Sequence, residues 1–254
     1  MLQLTRAIAT AFTVAAVTLP SLAQAQALPS ATEIFDRHVQ EIGGKDAVLA
    51  ISSIRQKGTL ELAAMGITAD VTMAMARPNK SSMIMAIPGL GEIQQGFNGE
   101  VAWENNPMAG PRIAEGEELE TRKAAAGFSE SFGIYDPARY ESVQVLEKTT
   151  FAGEEAYKIE LKRKVGPAVL SYFSVASGLF IGSQTSVVSP MGTIEVNAVA
   201  GDYKTFGKIR MPTKLMQSQS GQDITITFTD ITFDTVTDDA FALPPAIQAL
   251  VKKP

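Results

Sequence analysis

The chain has 254 residues, one histidine, no cysteine, and 22 basic against 27 acidic side chains, giving a net charge of −5. The absence of cysteine excludes disulfides, thiolate metal sites and a lipid carried on an N-terminal cysteine. Lys and Arg are scattered apart from Lys162-Arg163-Lys164, which argues against nucleic acid or an anionic membrane surface as partner.

Arg6 is the only charge before Glu33, and an apolar run, AIATAFTVAAVTL, follows it at 7–19. The segment LAQAQA at 22–27 places small residues where a leader peptidase cuts, so residues 1–27 read as a signal peptide cleaved after Ala27. The apolar run is shorter than the ~20 residues that span a bilayer. The expected product, 28–254, is a soluble, non-lipidated periplasmic protein of one domain, large enough to bury roughly 70% of its chain surface.

A helix follows, capped by Ser30 or Thr32, with Ile34, Phe35, His38, Val39 and Ile42 at helical spacing and Gly43-Gly44 at its end. The period then switches to two. Strands are expected around Leu60/Leu62 and over 67–75, 83–87, 92–97 and 100–104, with Asn98-Gly99 as a hairpin turn. The segment EGEELETRKAAAGFSESFG at 115–133 favours helix, its acidic start suiting the helix dipole. Strands resume over 141–149, 155–163, 168–175, 179–188, 192–200, 213–219 and 222–233. In the last of these the alternation of Ile224, Ile226 and Phe228 slips by one to Ile231 and Phe233, which predicts a β-bulge near Thr229-Asp230. Eleven or twelve antiparallel strands must curl to hide their edges, so the expected fold is mainly β (α+β). It is an incomplete antiparallel barrel with an N-terminal helix and a helical insertion as lid. FNGEVAW (97–103) and FAGEEAY (151–157) echo each other, and repeated hairpin chemistry accounts for the echo.

The stretch TMAMARPNKSSMIMA at 72–86 pairs methionines on either side of a turn. An odd loop puts Met73, Met75, Met83 and Met85 on one face with Val71 and Ile87; an even loop splits the pairs. The odd loop is preferred, with Met75 opposite Met83, because it leaves Thr72 and Ser82 outside. Methionine is unbranched and polarisable, so such a face suits either a plain core or a wall for a variable apolar ligand.

Motifs that carry covalent chemistry are missing. His38, the only histidine, lies on the apolar stripe of its helix and reads as structural, and no metal or cofactor site is expected. There is no G-x-S-x-G elbow, H-E-x-x-H, Walker A or EF-hand loop. Glu100 with Glu104, or Asp136 with Asp202, are the carboxylate pairs open to a hydrolase reading. Trp103, the only tryptophan, suits core or cavity wall.

Two groups of residues carry a resemblance. The first is Glu33-Ile34-Phe35, Gly43-Gly44-Lys45-Asp46-Ala47, Lys57-Gly58-Thr59-Leu60, Phe97-Asn98-Gly99 and Ala102-Trp103-Glu104. The second is Ser177-Gly178-Leu179, Gly201-Asp202-Tyr203, Gly207 with Met211-Pro212, Phe228-Thr229-Asp230-Ile231 and Phe241-Ala242-Leu243-Pro244. In this order they resemble the periplasmic LolA/LolB-like, outer membrane lipoprotein-sorting superfamily. The resemblance implies about eleven strands in an incomplete barrel whose apolar concave face holds acyl chains, with no catalytic residue.

The resulting expectation is a carrier or chaperone, not an enzyme, that binds a lipid or lipoprotein acyl chain non-covalently and exchanges it with a membrane-protein donor or acceptor. Wall candidates are Val71, Met73, Met75, Met83, Met85, Ile87, Trp103 and Phe228, and lid candidates are Phe128 and Phe132. An envelope-stress sensor or adaptor on the same fold, and a carboxylate-dependent hydrolase, are the alternatives.

Overall fold

The computed structural model describes residues 27–189, 192–219 and 221–251. The expected leader therefore lies, except for Ala27, outside the described residues. Helix α1 (Ala31–Glu41) starts at a capping box: the Glu33 amide donates to Ser30 Oγ at 3.3 Å, and the Ser30 amide donates to Glu33 Oε2 at 2.7 Å. It buries Ile34, His38 and Val39, and the short α2 (Lys45–Ala50) follows. Arg37 ties α1 to the far side of the fold by donating to the carbonyls of Val175 and Ala176 at 2.9 and 2.8 Å.

Six strands come next: β1 (Ser53–Leu62), β2 (Ile67–Ala76), β3 (Lys80–Ile87), β4 (Gly91–Phe97), β5 (Ala102–Asn106) and β6 (Gly110–Ile113). Helix α3 (Gly116–Ala125) and a 3-10 turn at Ser129–Phe132 interrupt them. The second set is β7 (Tyr140–Phe151), β8 (Glu154–Arg163), β9 (Val169–Ser174), β10 (Phe180–Ser189), β11 (Gly192–Phe206), β12 (Ile209–Gln219) and β13 (Gln222–Phe233). A 3-10 turn at Asp238–Phe241 and the short α4 (Pro245–Gln248) end the described chain.

Among the described residues there are thirteen strands in one antiparallel sheet, ordered β6-β5-β4-β3-β2-β1-β13-β12-β11-β10-β9-β8-β7. The strand that periodicity missed is β6, whose Gly-Pro-Arg-Ile shows no alternation. Pro111 is tolerated there because β6 is an edge strand and one missing N–H breaks no ladder. Two meanders are thus zipped together by β1 and β13, and the sheet stays open between β6 and β7. The chain crosses that gap through residues 114–139, which hold α3 and two 3-10 turns, Ser129–Phe132 and Pro137–Arg139. The insertion sits there because it must connect the two edges.

The β1–β13 register shifts between Lys57 and Gly58, which face Asp230 and Phe228 and leave Thr229 as the extra residue. This is the bulge anticipated from the slipped alternation. A Cβ on Gly58 would lie 2.0 Å from the Thr227 carbonyl oxygen, so the bulge requires glycine.

The principal core joins Ile54, Leu60, Val71, Ile226, Phe228 and Ile231 of the central strands to Val48, Ile51, Phe128 and Phe132. Part of the outer face is also covered. Helix α4 packs on β5 and β6, and Phe241 and Ile247 are buried.

Candidate ligand-binding cavity

Residues directly opposite each other in an antiparallel sheet project from the same face. Met73 lies opposite Met83, Val71 opposite Met85, and Met75 opposite Ser81. The loop Arg77–Asn79 is odd, so the four methionines share one face with Val71 and Ile87. The pairing is two residues away from the Met75–Met83 partnership favoured by the sequence, a shift that preserves every side chain's face. That face is concave. Across β1 and β13 it continues through Ile54, Gln56, Ile231 and Phe228.

Two cavities lie against it. One, of about 370 Å³, is lined by Gln56, Met75, Phe132, Leu161, Phe173, Leu215 and Phe228 among others. The second, of about 570 Å³, has Met73, Met75, Met83 and Phe97 on one side and Val165, Pro167 and Val187 on the other. Strands far apart in the sheet order therefore face each other across it, which is the direct sign that the sheet is curled. Met75 and Arg163 border both cavities. Residues Glu118, Thr121, Arg122 and Ala126 close the second, and Gly127, Glu130, Ser131, Phe132, Gly133 and Tyr135 close the first. Both volumes fall within the ~300–1,000 Å³ common for small-molecule sites.

The candidate residues separate into groups. Met73, Met75, Met83 and Phe228 border the cavities. Val71 is 1% exposed and, like Met85, packs in the principal core. Ile87 shares the face, half-buried at the end of β3. Trp103 is on the other face: it lies opposite Gly96, which lies opposite Ser82, which lies opposite Ala74. Its ring rests on Gly96, and it is buried on the side where α4 packs on β5. Phe128 and Phe132 are each 1% exposed, with ring centroids 5.4 Å apart. They root the insertion in the core, and Phe132 also borders the smaller cavity.

Charges at the cavity margins are mostly paired. Arg112 bridges Glu104 at 2.8 Å and Glu118 at 3.0 Å, and Glu118 also holds Arg122 at 2.8 Å. Glu130, with an 8% exposed side chain, is 2.8 Å from Arg139 and 3.8 Å from Arg163. Burial, and then the Glu130 carboxylate, push the phenols of Tyr135 and Tyr140 above their ordinary range. Glu100 lies in the hairpin turn before β5, where its amide donates to Asn98 Oδ1, so it does not share a strand with Glu104. Asp136 caps a 3-10 turn and Asp202 adopts a positive φ in β11.

His38 is buried, and its Nδ1 accepts the Phe180 amide at 3.1 Å. Burial pushes it down to about 4, so it is neutral at pH 7 and acts as a peg between α1 and β10. Among the described residues, no group of three His, Asp or Glu side chains could hold a metal ion, and no helix is long and apolar enough to cross a membrane.

Sequence reading missed Arg163, Gln56, Leu161, Phe173 and Leu215. The signal for Arg163 was present: Ile159, Leu161 and Arg163 follow one another at period two, so the arginine points where the two apolar residues point.

No protein-family model matches the chain, and no curated protein matches it. Solved structures do share its fold. A LolA superfamily protein from Nitrosomonas europaea aligns with a TM-score of 0.57 and 12% identity, covering 85% of this chain and 99% of that one. A domain from Vibrio parahaemolyticus described as an outer membrane lipoprotein-sorting protein aligns at 0.54 with 10% identity, over 83% and 97%. A DUF1329 family protein from Desulfovibrio piger gives 0.54 and 11%, over 84% and 97%. The chain has the LolA-like fold.

Proposed function

We propose that the protein is a non-covalent carrier or chaperone for the acyl chain of a lipid or lipoprotein. In this reading residues 28–254 work as one domain, soluble in the periplasm after export and not lipidated, and exchange cargo with a membrane-protein donor or acceptor. The observation that carries it is the pair of adjoining apolar cavities on the concave face, roofed by the insertion between β6 and β7. Met73, Met75, Met83 and Phe228 form the wall that touches cargo, Val71, Met85 and Ile87 support it from the same face, and Phe128 and Phe132 anchor the roof.

Each methylene moved from water into such a wall contributes about 0.8 kcal/mol, so a handful gives useful affinity without chemistry. Unbranched methionines can repack around chains of different shape. A hydrolase would need two carboxylates free to activate water. The ones at these cavities, Glu118 and Glu130, are instead engaged by Arg112, Arg122 and Arg139, which supports binding over catalysis.

The test is to purify the protein from an envelope extract, extract it with organic solvent and analyse the extract by mass spectrometry. Reproducible lipid or lipopeptide near one equivalent is expected. A preparation free of lipid that also fails to bind a fluorescent fatty acid would overturn the reading.

A further inference from the structure

We propose that the cargo is an anionic amphiphile and that Arg163 receives its charged headgroup. This rests on the carrier reading and adds the chemistry of the ligand.

Arg163 is the charged residue common to both cavities. Its guanidinium makes no hydrogen bond among the described residues, and its Nε is buried without a partner. The nearest carboxylate, Glu130, forms only a long ion pair with its Nη2, at 3.8 Å and beyond hydrogen-bond reach, and lies closer to Arg139, at 2.8 Å; both Glu130 oxygens are likewise buried without a hydrogen bond. Here two arginines face one buried carboxylate, in a chain whose net charge is −5. The Tyr140 ring, with its centroid 6.0 Å from Arg163 Cζ, stacks loosely on the group and offers no countercharge. The smaller cavity is lined by one further cation, Arg210, which lies over Tyr203 at 5.7 Å and pairs with no carboxylate among the described residues.

An arginine side chain 18% exposed whose buried Nε has no acceptor, and whose one ion pair is long, is costly unless something accepts from it. Its planar fork matches a carboxylate or a phosphate. Apolar walls stand on both sides: Met73, Met75 and Met83 in one direction, Leu161, Phe173 and Phe228 in the other. A headgroup at Arg163 therefore leaves its chain free to lie along either wall. A small anion would satisfy the arginine and leave both walls wet, so the geometry selects a ligand with charge and chain in one molecule.

The experiment measures binding of laurate, lauryl phosphate and lauryl alcohol to the purified protein, with acetate and inorganic phosphate as chainless anions. Laurate or lauryl phosphate is expected to bind at least about tenfold more tightly than the alcohol, the scale of a charge-assisted hydrogen bond. The chainless anions are expected not to bind at the same concentrations. Arg163→Gln is expected to abolish the preference for the charged amphiphiles over the alcohol, and Arg163→Lys to retain part of it. Equal binding of acid and alcohol by the unmodified protein overturns the inference and leaves the carrier reading standing. So does binding of acetate or phosphate as tight as that of the amphiphiles. Failure of all three amphiphiles overturns both. The comparison within the unmodified protein decides the matter even where a variant does not fold.

Discussion

The guanidinium of Arg77 lies over the ring of Phe128, with Cζ 5.0 Å from the centroid. The same side chain donates from Nε to the Ile51 carbonyl and from Nη1 to Ser129 Oγ, each at 2.7 Å. The Phe128 amide donates to the Pro78 carbonyl at 3.4 Å. The turn between β2 and β3 and the root of the roofing segment are thus one unit, with α2 held against both.

Replacing Arg77 with alanine removes these two bonds, a third from Nη2 to the Val48 carbonyl at 3.4 Å and the cation–π contact, and is expected to lower stability by about 2–3 kcal/mol. Urea unfolding measures this, and hydrogen exchange across 126–133 should quicken with it. An unchanged midpoint would mean that Arg77 does not anchor the roof.

Phe128→Ala is expected to cost about 3–5 kcal/mol, because a fully buried aromatic is lost from the principal core. A side chain on a freely opening flap would cost far less. Thermal or denaturant unfolding separates the two, and a loss below about 1 kcal/mol would show that this residue is part of a mobile flap.

The face assignment predicts opposite outcomes at two candidate residues. Met75→Asp puts a charge on the wall shared by both cavities and should weaken binding of a fluorescent fatty acid by tenfold or more, about 1.4 kcal/mol. Trp103→Phe, on the opposite face, should leave binding within about twofold, roughly 0.4 kcal/mol. Loss of binding in the tryptophan variant alone would reverse the assignment.

His38 makes stability depend on pH. Its folded value of about 4 lies below the ordinary 6.5, so between these values the unfolded chain binds more protons than the folded one. The stabilisation is full above about pH 6.5, declines as pH falls towards 4, and amounts to about 3 kcal/mol in all. Chemical unfolding across this range should show the decline for the unmodified protein and a flatter profile for His38→Gln. Parallel profiles would remove His38 as the cause.

Much of the sheet was legible because alternation is a local property. The bulge at Thr229 could be read from a slip in the hydrophobic period, and the common face of the methionines from the parity of one loop. Strand β6 was not legible, since four residues including Gly and Pro carry no period. Trp103 was assigned to the cavity side for a related reason. Alternation says that neighbouring residues face opposite ways, but where both faces are covered it does not say which is concave. The segment that packs α4 against β5 and β6 lies about 140 residues further along the chain.

The sequence by itself determined twelve of the thirteen described strands, their antiparallel character and a helical start at Ser30 or Thr32, and it tied the sidedness of the methionine pairs to the parity of one loop. Each of these follows from hydrogen bonding and side-chain period within a few residues. Only the tertiary structure decided that β1 and β13 zip the two meanders together, that the insertion roofs the gap between β6 and β7, and that Arg163 stands where two apolar cavities meet. Those features depend on curvature, which brings residues from distant strands within contact distance. An arginine amid apolar walls gains meaning only when its carboxylate neighbour is found to lie 2.8 Å from Arg139 and 3.8 Å from Arg163.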